Sequence, residues 1–429
     1  MARAQEGTII VIGAGAAGLA AARELGRTGK KVTILEARDR CGGRIYPLPS
    51  ADFGYQAEGG AEFVHGEASV TRRLLREAGL ATLPLHGMAW HVENGVFSHG
   101  DPSGPDDDQL HRRLTELQSD MTVAQFLQQY FAGTEYAELR RSITRMVEGY
   151  DAADPRRASV FAVRDEWMNS GEHPQARVAG GYHALIDFLA AECRKYSVTI
   201  RLSSIVTAVE ASDQGCTVHC SGGDTYAGDA AILTVPLPLL QQIELPAPER
   251  EKVATVAGIG FGNVIKFLLR FETSWWREQR TELTDLSFLI SDARIPVWWT
   301  QHPAPIPLLT GWFGGPKTTA MANIGEQELI ETAIASLAGI FGLERQQLMR
   351  KLMTARAIDW ANDPFARGAY SYATPETPNA RAALTKADGR PIRFSGEAIY
   401  GGPEMGTVEA ALASGLETAQ LVIAQHNSG

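Results

Sequence analysis

Three groups of residues in this 429-residue chain have types and spacings that could do chemistry. The first is Gly13, Gly15 and Gly18, spaced G-x-G-x-x-G in TIIVIGAGAAGLA, with Glu36 18 residues past Gly18. Gly13 suits a tight turn, Gly15 lets backbone approach a pyrophosphate, and Gly18 lets helix and strand pack closely. A helix N-terminus at this point offers N–H groups and partial positive charge to phosphates. A carboxylate at Glu36 can accept both hydroxyls of a ribose. The second group centres on Lys266, alone in the apolar run GFGNVIKFLLRF (260–271). On a strand, Val264, Lys266, Leu268 and Arg270 share one face, and Ile265, Phe267, Leu269 and Phe271 share the other, which reads as core. The run by itself places Lys266 in solvent beside Arg270; a functional site is the alternative. The third group is the acidic stretch Glu58, Glu62, His65 and Glu67, either a solvated loop or an attractor of cations.

These groups need elements to hold them. A β-branched strand over Thr8–Ile12, an alanine-rich helix to about Leu25 and a second strand over 32–35 make a βαβ start to a dinucleotide site. A chain of this length predicts two domains. The net charge of −10 excludes a general nucleic-acid binder, which needs a basic face. Cys41, Cys193, Cys216 and Cys220 are few and scattered, without C-x-x-C spacing, which fits a reduced, cytoplasmic setting. No metal-ligand spacing and no G-x-S-x-G is present. MARAQEG carries no signal-peptide pattern. The longest apolar stretch, around 230–240, is too short and proline-broken to span a bilayer. GDPSGPDDDQ (100–109) is the most polar loop.

The run 36–44, EARDRCGGR, resembles the E-A-x-x-R-x-G-G-R segment of the flavin monoamine oxidase family. Further likenesses follow in order: GGAEFVHG (59–66), VAGGYHALIDFLA (178–190), LSSIVTAVE (202–210), AILTVPLPLL (231–240), GNVIKFLLRF (262–271), DWANDPFARGAYSYATP (359–375) and IRFSGEA with GTVEAALASGLETA (392–419). The likeness around DPFARGAYSY extends locally to flavin-type lysine demethylases. No family pattern aligns to about 90–175. There, helical spacing in LTELQ, VAQFLQQY and AELRRSITRMVEGY predicts a cap over a pocket.

The resemblance implies an α/β fold. A Rossmann-type FAD domain of the glutathione-reductase structural type takes residues 1–85, 178–258 and 388–429. A second, α+β substrate domain takes 86–177 and 259–387. Its sheet is expected over 261–271, 286–291, 296–300 and 306–313, with helices near 325–341 and 345–354. By the same resemblance, Gly13, Gly15, Gly18, Glu36, Arg38, Gly42, Gly43 and Arg44 bind FAD through its adenosine and pyrophosphate. Gly60, Ala61, Glu62 and Trp360 lie near the ring, and Val206 lies against the adenine. Gly396 and Glu397 meet the ribityl chain. Gly406, Thr407 and Val408 open a helix aimed at the flavin.

Lys266 is implied as a catalytic residue facing flavin N5, with Tyr370 as an aromatic flank for the substrate amine. Tyr372, Thr407, His65 and Glu62 are implied substrate contacts. Glu62 and Phe63 stand where amino-acid oxidases carry a carboxylate-clamping arginine. Ala369 stands where monoamine oxidases carry the flavin-linking cysteine, so FAD is expected to be non-covalent. The implied reaction is FAD-dependent oxidation of a small amine or polyamine, with O2 as oxidant and H2O2 as product. Alternatives are a desaturase, a porphyrinogen-type or an L-amino-acid oxidase, or a non-catalytic interaction protein stapled by flavin. No metal, nucleic-acid or membrane partner is expected, and the oligomeric state is open.

Overall fold

The computed structural model describes residues 8–100, 107–169, 175–212 and 215–428; MARAQEG and most of GDPSGPDDDQ lie outside them. TIIVI forms the strand Thr8–Ile12, with its last four residues buried. Branched side chains on both faces need cover on both faces, which a parallel sheet provides. This strand is the centre of a five-stranded parallel sheet. The order is Ile392–Phe394, Ala230–Leu233, Thr8–Ile12, Lys31–Leu35 and Thr199–Arg201. Ile9 and Val11 pack with residues of the helices Ala16–Arg27, His183–Lys195 and Val408–Ser428. Ile10 and Ile12 pack the other way, toward a small antiparallel sheet of Val206–Ser212, Gly215–Cys220 and Thr225–Gly228. Cys216 and Cys220 are both buried in that sheet.

A second sheet has seven strands. Its order is Leu352–Asp359, Val264–Phe271, Leu308–Gly314, Val297–Trp299, Leu286–Ser291, Met88–Glu93 and Val96–His99. All neighbours are antiparallel except Leu286–Ser291 with Met88–Glu93. Ile265, Phe267, Leu269 and Phe271 form its core face, under the helices Glu326–Phe341 and Arg345–Lys351. The expected helix over 345–354 ends three residues early, because Leu352 already pairs with Phe271 as strand. The hairpin Met88–Glu93 and Val96–His99 was not expected. Its turn is Asn94-Gly95, both at positive φ (50° and 76°), the usual chemistry of a two-residue hairpin loop.

The opposite face of Val264–Phe271 is also covered, which settles the Lys266 alternative against solvent. Val264 packs with Trp360, Ala366 and Ala369, and Leu268 with Leu48, Phe53 and Ala57. Lys266, between them, is 1% exposed. Segment 110–150 is helical as expected, in Asp107–Glu116, Val123–Tyr130 and Ala137–Gly149, joined by Val160–Asn169. Thr122 and Gln125 form a reciprocal capping box at one helix start.

Segment 58–62 lies hard against 44–46. The Gly59 N–H donates to the Tyr46 carbonyl at 2.7 Å and the Ala61 N–H to the Arg44 carbonyl at 3.2 Å. A Cβ on Gly60 would stand 1.8 Å from the Arg44 oxygen. Gly60→Ala should therefore destabilise the protein by about 1–3 kcal/mol, as overpacking does. Gly222→Ala, where a Cβ meets nothing within 4 Å, should stay within about 0.5 kcal/mol of the parent. Chemical denaturation of the two variants checks this; equal losses would contradict it.

Candidate active site

The glycine loop follows from crowding. Gly13 has φ 107°, and a Cβ on Gly18 would stand 2.0 Å from the Gly13 oxygen. The Thr234 hydroxyl donates to the Ile12 carbonyl at 2.9 Å and locks the turn from the next strand. At Gly15, by contrast, a Cβ would meet no atom within 4 Å, which leaves a cradle at the helix start. Gly42 (φ 108°) and Gly43 (φ 56°) fold over that cradle, and the Gly42 N–H donates to the Ala14 carbonyl at 2.9 Å. Glu36 is buried and accepts the Ala14 N–H at 2.6 Å and the Arg38 N–H at 2.9 Å. Burial raises its pKa, and these two N–H bonds oppose the rise. Two accepted bonds leave a carboxylate further lone pairs. Val206 opens the adjoining strand, where the Ser204 N–H donates to the Glu36 carbonyl at 2.8 Å. The Arg38 guanidinium pairs with Asp363 at 2.6 and 2.9 Å, a partner no sequence spacing indicated.

A second convergence joins residues more than 300 positions apart. Arg44 Nη1 donates to Glu397 Oε1 at 2.8 Å and to the Ala369 carbonyl at 2.8 Å. The Ser371 hydroxyl donates to the other Glu397 oxygen. Trp360 is buried, and its ring edge lies 3.2 Å from a Cβ built on Gly60. A Cβ on Gly396 would meet nothing within 4 Å, a second opening beside Glu397. A Cβ on Gly406 would stand 2.6 Å from the Ser371 carbonyl oxygen and 3.4 Å from the Tyr370 ring. The Thr407 hydroxyl accepts the Ala410 N–H at 3.2 Å and donates to the Glu404 carbonyl at 2.6 Å. Thr407 is thus the cap of the last helix, with its hydroxyl committed, and not a free substrate contact. Val408 packs on the core of the parallel sheet.

Lys266 Nζ donates to the Gly60 carbonyl at 3.0 Å and to Glu62 Oε2 at 2.9 Å. Glu62 Oε1 accepts Arg177 Nε at 2.9 Å, Gln301 Nε2 at 3.0 Å and Trp299 Nε1 at 3.1 Å. Burial alone would raise the Glu62 pKa, but Lys266 and Arg177 beside it bring it from 4.5 down to about 2. The expectation of a free, cation-attracting Glu62 is therefore corrected: its charge is spent on two internal cations. Glu58 is also buried, facing His183 at 3.4 Å, so the acidic stretch is not an open acidic loop.

Next to Lys266 runs an aromatic wall. Tyr370 and Trp312 stack at 6.3 Å and 23°; Trp312 meets Trp299 at 5.7 Å, Trp299 meets Phe63 at 5.4 Å, and Phe63 meets His65 at 6.1 Å. Lys266 Nζ lies 5.5 Å from the Trp299 ring centre. Tyr150 closes the wall: its ring meets His65 at 6.1 Å, and its carbonyl accepts the Tyr370 hydroxyl at 2.6 Å. The His65 Nδ1 lies 3.2 Å from both the Tyr150 hydroxyl and the Gln175 amide. Burial lowers the His65 pKa to about 4. Beside Tyr150 and Tyr370, Asp151 and Glu166 share a hydrogen bond, and burial raises both their pKa values. Tyr372 is not part of this wall. It packs against Gly260 and into the core of the cap helices, so its expected substrate contact is corrected. Trp312, Trp299 and Tyr150 were missed. Trp312 faces Lys266 across the sheet, and Trp299 lies two residues from Val297, the other neighbour of Trp312. Strand alternation would have found both once the pairing was known.

Comparison with known proteins gives one account. A family model described as flavin containing amine oxidoreductase matches residues 16–423. The probable polyamine oxidase 4 of Arabidopsis thaliana is 31% identical over 303 residues, covering 63% of this chain; the chain spans only 59% of that relative's length. A putrescine oxidase structure, wild type bound to putrescine, superposes with TM-score 0.78 at 22% identity, covering 98% of this chain and 99% of that one. The cyclohexylamine oxidase of Brevibacterium oxydans superposes with TM-score 0.80 at 21% identity, covering 99% and 100%.

The His65 shift sets a pH dependence. Its folded pKa lies below the unfolded value of about 6.5, so the unfolded chain binds more protons between the two. The His65 contribution is complete above about pH 6.5 and is lost as pH falls through 4. Glu62, depressed to about 2, adds a loss only below about pH 4.5. Thermal midpoints should fall from pH 6.5 to 4 in the parent, and fall less steeply in His65→Gln. Identical slopes would contradict the assignment.

Proposed function

The chain belongs to the flavin-containing amine oxidoreductase family, and from that premise we propose that it is an FAD-dependent oxidase of small alkyl amines or polyamines. The cofactor, when bound, supplies a two-electron acceptor for a hydride from the carbon beside the substrate nitrogen. The rest falls to this chain. The cradle at Gly15, the free lone pairs of Glu36 and the opening at Gly396 fit a dinucleotide in Rossmann fashion. Arg44 brings a cation to the pyrophosphate side, and Glu397 has an oxygen toward the same seam. Ala369 offers no thiol, so FAD is held non-covalently. The glutathione-reductase type of FAD domain, built from 1–85, 178–258 and 388–429, is supported by the strands that make the parallel sheet. The substrate domain, 86–177 and 259–387, is supported by those of the seven-stranded sheet.

One observation carries the reading: Lys266 is buried at the edge of an aromatic wall, in contact with Gly60 of the flavin-side segment. Trp299, Trp312 and Tyr370 exclude water and orient an alkyl amine. His65, neutral above its pKa of about 4, is placed to accept a hydrogen bond or proton from the substrate nitrogen. The oxidised substrate, an imine, would then be hydrolysed by water, with O2 taking the two electrons and leaving as H2O2. An amino-acid substrate is disfavoured, since Arg177, which lies over Phe63 of the aromatic wall, is committed to Glu62 and the Thr300 carbonyl. Burial holds the Asp151–Glu166 pair beside Tyr150 toward its protonated forms, and a second ammonium, as on a diamine or polyamine, would favour its ionised form there. The net charge of −10 supports small-molecule partners over nucleic acid, and four unbridged cysteines support a cytoplasmic site.

The test is anaerobic. Purified yellow protein should lose its visible flavin bands on adding an alkyl diamine, keep them with an L-amino acid, and regain them with O2. Lys266→Met should bleach with the same amine but recover at least tenfold more slowly. A flavin that no amine bleaches would leave a stapled interaction protein, and recovery at the parent rate would remove Lys266 from the site.

A further inference from the structure

Glu62 poses an energetic question. A buried ion pair rarely stabilises a fold more than well-packed apolar groups of the same size would. Yet this chain buries a carboxylate and surrounds it with Lys266, Arg177, Trp299 and Gln301. The arrangement controls the lysine in two ways. It places a carboxylate counter-charge 2.9 Å from the buried Lys266 nitrogen. It also fixes direction: Glu62 and the Gly60 carbonyl take two of the three N–H groups of the ammonium, leaving one for a cofactor or water.

We propose that Glu62 is a positioning residue for Lys266, and that this contact sets the pH dependence of the reaction with O2. The inference rests on the reading of Lys266 as the cofactor-facing cation. In the O2 step, dioxygen takes two electrons and one proton from the reduced anionic flavin and a second proton from solvent, and leaves as hydrogen peroxide. A fixed cation beside that transfer stabilises the charge moving to oxygen. Without Glu62, the amine is buried with no carboxylate beside it, and its neutral form is favoured as pH rises. The other titratable groups facing the carboxylate are Arg177 and Tyr55, whose phenol burial and Glu62 push well up. Across the sheet Lys266 pairs with Trp312 and Ile358, neither of which titrates.

The experiment uses four holoenzymes: parent, Glu62→Gln, Lys266→Met and the double variant. Reoxidation by O2 after anaerobic reduction is followed from pH 6 to 9, together with the visible spectrum of bound oxidised flavin. The parent should be flat in both. Glu62→Gln should reoxidise within about threefold of the parent at pH 6 and at least tenfold slower at pH 9. Its flavin spectrum should titrate with the same midpoint, and that titration should vanish in the double variant. Reduction by saturating amine, which also depends on the Trp299 that Glu62 holds, should change by the same factor at pH 6 and at pH 9, and a pH-dependent loss in that half-reaction would overturn the assignment to the O2 step. Glu62→Asp, which withdraws the carboxylate by one methylene, should lie between and serves if Glu62→Gln loses its flavin. A flat Glu62→Gln or Glu62→Asp profile at the parent rate, with Lys266→Met slow, overturns the role of Glu62 alone. Lys266→Met at the parent rate overturns the reading beneath it as well.

Discussion

The buried contact between Lys266 and Glu62 is the constraint on which the rest of the site depends. It joins two separately built parts of the chain. Glu62 follows the 58–61 segment, which is pinned to 44–46 next to the glycine loop. Lys266 belongs to the middle of the seven-stranded sheet. An ammonium and a carboxylate cannot be buried separately without a cost of several kcal/mol each, so each holds the other in place. Arg177, Trp299 and Gln301 are positioned by the same carboxylate, and two of them, Trp299 and Gln301, lie at the end of the strand Val297–Trp299 of the seven-stranded sheet. The aromatic wall inherits its orientation from that anchor, since Trp299 is at once a donor to Glu62 and a ring neighbour of Phe63 and Trp312.

A second seam, Arg44 with Glu397 and Ser371, joins segments more than 300 positions apart in the same way. It gathers the segment after the first βαβ unit, the short strand Tyr370–Tyr372 and the turn Glu397–Ile399 around one point. Both seams are buried or half-buried and charge-assisted, and the second lies beside an opening at Gly396, where an added side chain would meet free space. Rigid anchors beside small open cradles are what preorganised binding needs.

Much of this was legible in the chain. The glycine spacing, the β-branched run before it and Glu36 after it carry local geometry, and local geometry survives translation into structure. The core face of Val264–Phe271 followed from alternation alone. The other face did not, because burial of Lys266 depends on residues 200 positions away. Glu62 looked like surface charge for the same reason: a carboxylate reads as exposed until its partners are known. Tyr372 and Thr407 were placed by likeness of motif, yet packing into the cap helices and helix capping claim them. Tyr150 was invisible, since its contacts to His65 and Tyr370 link three distant segments. The Asn94-Gly95 turn was a readable signal that went unused.

Lys266 and Glu62 act energetically as one unit. A double-mutant cycle on unfolding free energy, with Lys266→Met, Glu62→Leu and the pair together, measures this directly. The double variant should lose about 2 kcal/mol less than the sum of the single losses, because each single change strands a buried charge. Losses that add within about 0.5 kcal/mol would contradict it.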